Sequence, residues 1–311
     1  MIRLDYKTGL KVTEPTAVTI GKFDGIHRGH ELLAGMIREK RKQGLKSLIV
    51  TFSMTPRVLF SDEAEQAKTL ITSEERAFLL EQEGIDYLLE MPLTDEVMHM
   101  SPEEFLKLLC EDFQMQYLCV GEDFHFGYQG RGDAALLEAN QKQFGYILDV
   151  VKKLKKEQRD ISSTYIRDEI QMGRIANANE LLGYPYFIWG EIVHGKHLGT
   201  KMGVPTINMT PPQDKLLPPN GVYITEVEID HRVFHGITNV GRKPTVKKDD
   251  VVNVETHILD FQGDLYEHRA KVSFFEFVRF ERKFDSVEAL RQQIQEDVQS
   301  AFQFFNHKRE G

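Results

Sequence analysis

The feature that most constrains the fold is a change of hydrophobic period at Pro185. Ahead of it, short apolar runs alternate with helix patterns. TAVTI (16–20), KSLIVTF (46–52), IDYLLEM (85–91), YLCVG (117–121) and YILDVV (146–151) read as strands. One helix opens at Gly29, carries Leu32, Leu33, Met36 and Ile37 as a stripe, and stops at Gly44. A second opens on the Thr72/Glu75 capping box and ends near Gly84. A third has Ser101, Pro102 and Glu104 as N-cap, first-turn proline and capping partner, and a fourth runs from Asp133 to Gly145. Such alternation builds a parallel, doubly wound sheet. From about 161 a helical pair follows, capped by Ser162 or Ser163, interrupted at Gly173 and ended by Leu181-Leu182-Gly183.

After Pro185, FIWGEIVHG, GVYITEVEI, FHGITNVG, VNVETHILDF and RAKVSFFEFV are strand-like and separated by Gly/Pro/Asp turns, which predicts an antiparallel barrel or sandwich. Asp285 and Glu288 open one last helix, whose Val287, Leu290, Ile294, Val298, Ala301, Phe302 and Phe305 form an apolar stripe for packing on that sheet. The fold class is therefore α/β plus all-β. The boundary falls near 183–187, giving domains 1–183 and 184–311 in a chain of 311 residues.

Composition narrows the function classes. The net charge of -9 opposes a general nucleic-acid binder, which neutralises phosphates with a basic surface. The basic run KKLKKEQR (152–159) lacks interleaved aromatics and reads as a solvated edge or loop. Arg3, Asp5 and Lys7 break the N-terminus before a signal peptide could form, and no apolar run reaches the roughly 18 residues of a membrane span. A reducing compartment, most simply the cytoplasm, is expected, with no membrane partner. Cys110 and Cys119 make neither a disulfide framework nor a metal cluster and read as apolar packing.

Residues 21–30, GKFDGIHRGH, lie between the first strand and its helix. A parallel sheet places ligands at the carboxyl ends of its strands, and the following helix points free N–H groups there. Gly21, Gly25 and Gly29 allow close approach of the backbone to a phosphate, and His27 and His30, three apart, project to one side of the opening turn. A zinc site would need a third ligand, which the spacing does not supply. The arrangement suits a reaction in which negative charge grows on a departing pyrophosphate.

With this motif the first half resembles the HxGH nucleotidylyltransferases, a Rossmann-like class. GEDFHFG (121–127), followed by GRGD, and ISSTYIR (161–167) narrow the resemblance to the bacterial bifunctional riboflavin kinase/FMN adenylyltransferases, or FAD synthetases. The resemblance implies nucleotide contacts at Gly21, Phe23, Asp24, Gly25, Gly29, Ser163 and Thr164, and flavin contacts at Gly121, Asp123, Phe124 and Gly127. It assigns His27, His30 and Arg167 to the charge of the transferring and leaving phosphates. In TFSMTP (51–56), Ser53 stands where the family commonly has an aspartate.

The second half carries HGKHLGTKMGVPTIN (194–208). Its glycines permit tight turns around phosphate. Thr206 and Asn208, two apart on an extended segment, offer neutral oxygens on one side, a donor set that suits Mg²⁺. In VNVETHI, Val254, Thr256 and Ile258 alternate onto one face and leave Glu255 and His257 on the other, either as a solvent face or with Glu255 aimed into a cleft as a general base. With NGVY (220–223) and GRKPTV (241–246), this half resembles the riboflavin kinase barrel. The resemblance implies that Gly195, Gly199, Lys201 and Gly203 meet ATP, Thr206 and Asn208 hold its magnesium, and Glu255 takes the proton of the flavin's ribityl hydroxyl. Thr200 replaces a frequent arginine of the family.

The expected function is ATP-dependent phosphorylation of riboflavin to FMN, then adenylylation of FMN to FAD, by a monomer or weak homo-oligomer. Two rivals are a chain in which only the kinase half works and a flavin-binding regulator without turnover.

Overall fold

Thr16–Ile20 (β2) is buried at all five positions because helices cover both faces of its sheet. The computed structural model describes residues 1–6, 9–53, 68–193, 206–242, 252–261 and 268–310. Among the expected site residues, Gly195, Gly199, Lys201 and Gly203 lie outside that set. The described residues form two compact units, Met1–Ser163 and Thr164–Gly311.

In the first unit, six parallel strands run in the order β1-β4-β3-β2-β5-β6. They are Ile2–Asp5 (β1), β2, Lys46–Ser53 (β3), Tyr87–Pro92 (β4), Met115–Gly121 (β5) and Ile147–Val151 (β6). Side chains alternate between two cores: Val18, Ile20, Leu48, Val50, Leu118 and Val120 face one, and Ala17, Ile49, Tyr117 and Cys119 the other. Helices Arg28–Glu39 (α1), Ser73–Gln82 (α2), Asp95–His99 (α3), Pro102–Asp112 (α4) and Ala134–Phe144 (α5) connect the strands. Both expected capping boxes are formed, Thr72 with Glu75 and Ser101 with Glu104, the latter ahead of Pro102. The chain builds outward from β2 toward β3 and β4 in one direction and toward β5 and β6 in the other. The sheet's switch point therefore lies between β2 and β5, and both Gly-rich segments follow these two strands.

Three elements of this unit were not expected. β1 is an edge strand whose only inward residue is Leu4, so Arg3 and Asp5 do not interrupt it. α3 is a short helix capped by the Thr94 side chain. The basic run forms a two-stranded hairpin, Lys155–Lys156 (β7) with Arg159–Asp160 (β8), turning through Glu157 and Gln158 at φ 49° and 69°.

The second unit is a closed antiparallel barrel in the order β10-β13-β12-β11-β14-β9. Its strands are Phe187–Val193 (β9), Thr206–Met209 (β10), Gly221–Ile229 (β11), Arg232–Arg242 (β12), Val252–Ile258 (β13) and Arg269–Phe280 (β14). Inside, the hydroxyls of Thr225, Thr238 and Thr256 form a chain with both links 2.8 Å, which satisfies three buried polar groups across neighbouring strands. The C-terminal helix Val287–Glu310 (α8) packs outside the wall through Ala301, Phe305, Val298 and Phe304. The predicted stripe is too wide: Val287 and Phe302 are exposed, and Phe304 packs instead.

Helices Ser163–Gln171 (α6) and Ile175–Leu182 (α7) precede β9. The units divide between Ser163 and Thr164, ahead of the change of period. One reason is local: Asn179 on α7 donates to the Phe274 carbonyl of β14 at 2.8 Å and accepts from the Tyr186 N–H at 2.7 Å, tying α7 to the barrel.

Candidate active sites

The first site begins where β2 ends. Phe23 is buried at φ 45°, followed by Gly25 at φ 91° and Ile26 at φ 37°, a strained turn that delivers His27 to the N-cap of α1. His27 Nδ1 accepts from the His30 N–H at 3.4 Å, which leaves its Nε2 as the protonated nitrogen of a neutral ring. The two imidazoles stack with centroids 3.8 Å apart, and Phe23 stacks on the outer side of His30 at 4.7 Å. A Cβ on Gly29 would come within 3.1 Å of the His27 ring, so this glycine makes room for the imidazole.

Asp24 Oδ1 accepts from the backbone N–H groups of Leu70 (2.7 Å) and Ile71 (3.3 Å), and Ser163 Oγ donates to the Asp24 carbonyl at 2.7 Å. Ser163 is thereby fastened to the turn. Thr164 and Arg167 follow on the opening turns of α6, the first exposed and the second half-buried.

Burial holds the His27 pKa down at about 4 and the His30 pKa well below the ordinary value, with the His27 and Arg76 charges adding to the effect on His30. Both rings are neutral at pH 7. His30 Nδ1 is buried and has no hydrogen-bond partner among the described residues. Because an unfolded imidazole protonates near 6.5, stability is fully present above that pH and is lost as pH falls toward 4. For His27 alone the loss reaches about 3 kcal/mol at the bottom of that window. Thermal unfolding at pH 7.5 and pH 5 is expected to show a smaller drop in Tm for His27→Asn than for the wild type. An equal drop in both would contradict the assignment.

The same unit holds a cavity of about 510 Å³, lined among others by Phe52, Met98, His99, Phe105, Gly127 and Tyr128. His99 stacks on Tyr128 at 5.0 Å. Of the residues expected here, Gly127 lines the cavity, while Phe124 stacks on Phe126 at 5.5 Å and Asp123 pairs with Lys153 at 2.7 Å; Gly121 ends β5. Gly127 sits at φ 71°, and a Cβ there would lie 2.7 Å from the Pro102 nitrogen. Gly127→Ala is expected to cost about 1–3 kcal/mol, from the left-handed backbone and the contact together. Denaturant unfolding measures it, and an unchanged midpoint would refute the account.

The second site is on the outer wall of the barrel. Glu255 and His257 line a cavity of about 410 Å³ with Thr206, Asn239, Arg279 and the α8 residues Leu290, Ile294 and Asp297, among others. Their neighbours Val254, Thr256 and Ile258 are buried, so the alternation is as expected, with Glu255 on a cavity rather than an open face. Thr206 Oγ1 donates to Glu255 Oε1 at 2.8 Å, and Asn253 Nδ2 donates to Asn208 Oδ1 at 3.0 Å. Asn208 is 4% exposed and does not line the cavity, whereas Thr206 does. Opposite, Arg279 makes a bidentate pair with the buried Asp297 (2.9 and 2.7 Å), joining β14 to α8 across the cavity. Among the described residues no cluster of three His, Cys, Asp or Glu could hold a metal ion.

Fold and sites together define a two-unit transferase: a switch point with a stacked imidazole pair at a helix N-terminus, and a barrel cavity with a carboxylate held by a hydroxyl. Family models agree unit by unit, one for FAD synthetase matching residues 10–165 and one for riboflavin kinase matching 182–305. The bifunctional riboflavin kinase/FMN adenylyltransferase of Pseudomonas fluorescens is 34% identical over 285 residues, covering 91% of each chain. That of Escherichia coli K12 is 34% identical over 295 residues, covering 94% of this chain and 93% of its own. The chain belongs to the bifunctional riboflavin kinase/FMN adenylyltransferase family. A crystal structure described as a macrolide-efflux protein from Streptococcus pneumoniae is 27% identical with a TM-score of 0.87, covering 97% of this chain and 99% of that one. Among the described residues no helix is long and apolar enough to cross a membrane.

Proposed function

We infer that this chain phosphorylates riboflavin to FMN with one ATP and adenylylates FMN with a second, giving FAD and pyrophosphate. Residues 184–311 are assigned the first step and 1–183 the second. The observation that carries this is the Thr206–Glu255 hydrogen bond on the barrel cavity, in one chain with the stacked His27–His30 pair at the sheet's switch point.

In the kinase step, Glu255 accepts the proton of the ribityl 5′-hydroxyl as that oxygen attacks the γ-phosphorus of ATP. Thr206 holds the carboxylate in place. Thr206 and Asn208 would hold the magnesium of ATP, an ion that prefers oxygen ligands and keeps several waters beside substrate phosphates. Bound there, Mg²⁺ supplies charge neutralisation on the phosphates. Gly195, Gly199, Lys201 and Gly203 are assigned to the same nucleotide.

In the adenylyl step, a phosphate oxygen of FMN attacks the α-phosphorus of ATP and pyrophosphate departs. The attacking monoester needs little deprotonation. The neutral rings of His27 and His30 are assigned as N–H donors to the charge that develops, with Thr164 and Arg167 on the phosphates. The apolar cavity beside Gly127 and Tyr128 is assigned to the flavin. We place the protein in the cytoplasm, as a monomer or weak oligomer.

Incubation with riboflavin, ATP and magnesium, followed by chromatography, is expected to yield FMN and then FAD with one pyrophosphate per FAD. Accumulation of FMN alone would remove the second activity, and flavin binding without ATP consumption would remove both.

A further inference from the structure

We propose that Arg76 is a positioning residue for adenylyl transfer, acting through the peptide plane between Phe23 and Asp24; the inference rests on the assignment of FMN adenylylation to this unit. Residues with positive φ other than glycine persist only where their surroundings hold them, and Phe23 is such a residue, fully buried at φ 45°. The hydroxyl of Thr51 donates to the Lys22 carbonyl at 2.9 Å, and Asp24 is fastened through its carboxylate and carbonyl as described above. The carbonyl between these two anchors is met by Arg76 of α2, whose Nε donates to Phe23 O at 3.3 Å.

Arg76 is itself fixed. It is 6% exposed, and its Nη1 lies 2.8 Å from Glu90 Oε1 on β4. Glu90 also accepts from Ser73 Oγ at 2.8 Å and from Arg3 Nη2 at 2.5 Å. The guanidinium therefore spans from a carboxylate anchored in the sheet to the strained turn. A trans peptide is planar, so holding the Phe23 carbonyl also sets the direction of the Asp24 N–H and the path of the chain into Gly25, Ile26 and His27. Phe23 has a second link to the chemistry, because its ring stacks on His30, which stacks on His27. A turn released at Phe23 tilts that stack, and a small misplacement of reacting groups costs rate more than binding.

The test assays the full chain for FAD formation from FMN and for FMN formation from riboflavin. Arg76→Ala is expected to lower kcat for FAD formation about 10–100-fold with KM for ATP within about threefold, and to leave riboflavin phosphorylation unchanged. Arg76→Lys, which keeps a cation and a donor, is expected to recover most of the loss. Arg76→Met combined with Glu90→Gln removes the carboxylate that the single variant deprives of its Arg76 partner but does not restore the bond to Phe23, so it should stay slow. Recovery in that double variant would mean that Arg76 only neutralises Glu90, and would overturn the proposal. Unchanged kcat in Arg76→Ala would overturn it as well. Should the alanine variant not fold, the double variant carries the same comparison. A wild-type chain that makes no FAD from FMN and ATP would instead overturn the assignment on which the proposal rests.

Discussion

Glu255→Gln is expected to slow FMN formation from riboflavin by about 10²–10⁴-fold, the contribution typical of a general base. FAD formation from supplied FMN should be unaffected. The substitution is nearly isosteric, and the amide oxygen can still accept from Thr206 Oγ1, so the 2.8 Å contact and the cavity wall should persist. What is lost is basicity. The loss should therefore fall on kcat, with KM for riboflavin little changed, because the hydroxyl is still seated where it was. Steady-state kinetics of each half-reaction on one preparation measures this. Equal loss of both activities in a folded variant would contradict two separate sites, and full retention of phosphorylation would remove Glu255 as the base.

Much of this site was legible in the sequence because it is local. Alternation along VNVETHI put Glu255 and His257 on one side of a single strand, and that needs no knowledge of distant residues. The capping boxes at Thr72 and Ser101 are similar, since their partners are three residues away. What was missed depends on chain segments far apart in sequence. The apolar cavity of the first unit takes Phe52 from the end of β3, His99 from α3 and Tyr128 from the segment after β5, and nothing near any one of them signals the others. Arg76 and Glu90 sit on a helix and a strand whose pairing appears only once the sheet is built. The Arg279–Asp297 pair likewise requires β14 and α8 to meet.

Some residues were noticed for a reason the structure refines. Gly29 stands out as room for phosphate, and a Cβ there would also meet the His27 ring at 3.1 Å. Asp24 stood out as a nucleotide contact, and one of its oxygens is engaged by two backbone N–H groups. The stripe on α8 was extended by periodicity to Val287 and Phe302, but the barrel wall covers only part of a helix of 24 residues. A periodic pattern gives the face of a helix and not the length of its support.

Replacing His27 and His30 together by alanine is expected to reverse the outcome of Glu255→Gln: FAD formation from FMN falls by about 10³-fold or more while riboflavin phosphorylation continues. Removing a single preorganised donor to a developing oxyanion costs about 10²–10³-fold, and two donors acting on one charge exceed that without simple additivity. The effect does not require either ring to be a cation. Burial keeps both neutral at pH 7, so on this assignment each would offer a ring N–H, and at His27 the accepted hydrogen bond at Nδ1 fixes that donor at Nε2. Replacement by asparagine separates donation from packing at His27, because asparagine can still cap α1. His27→Asn should hold α1 in place and retain more adenylyl transfer than the alanine variant. Rates measured with FMN and ATP, with pyrophosphate release as the readout, decide the matter. If the double alanine variant makes FAD at the wild-type rate, the stacked imidazoles do not serve the reaction.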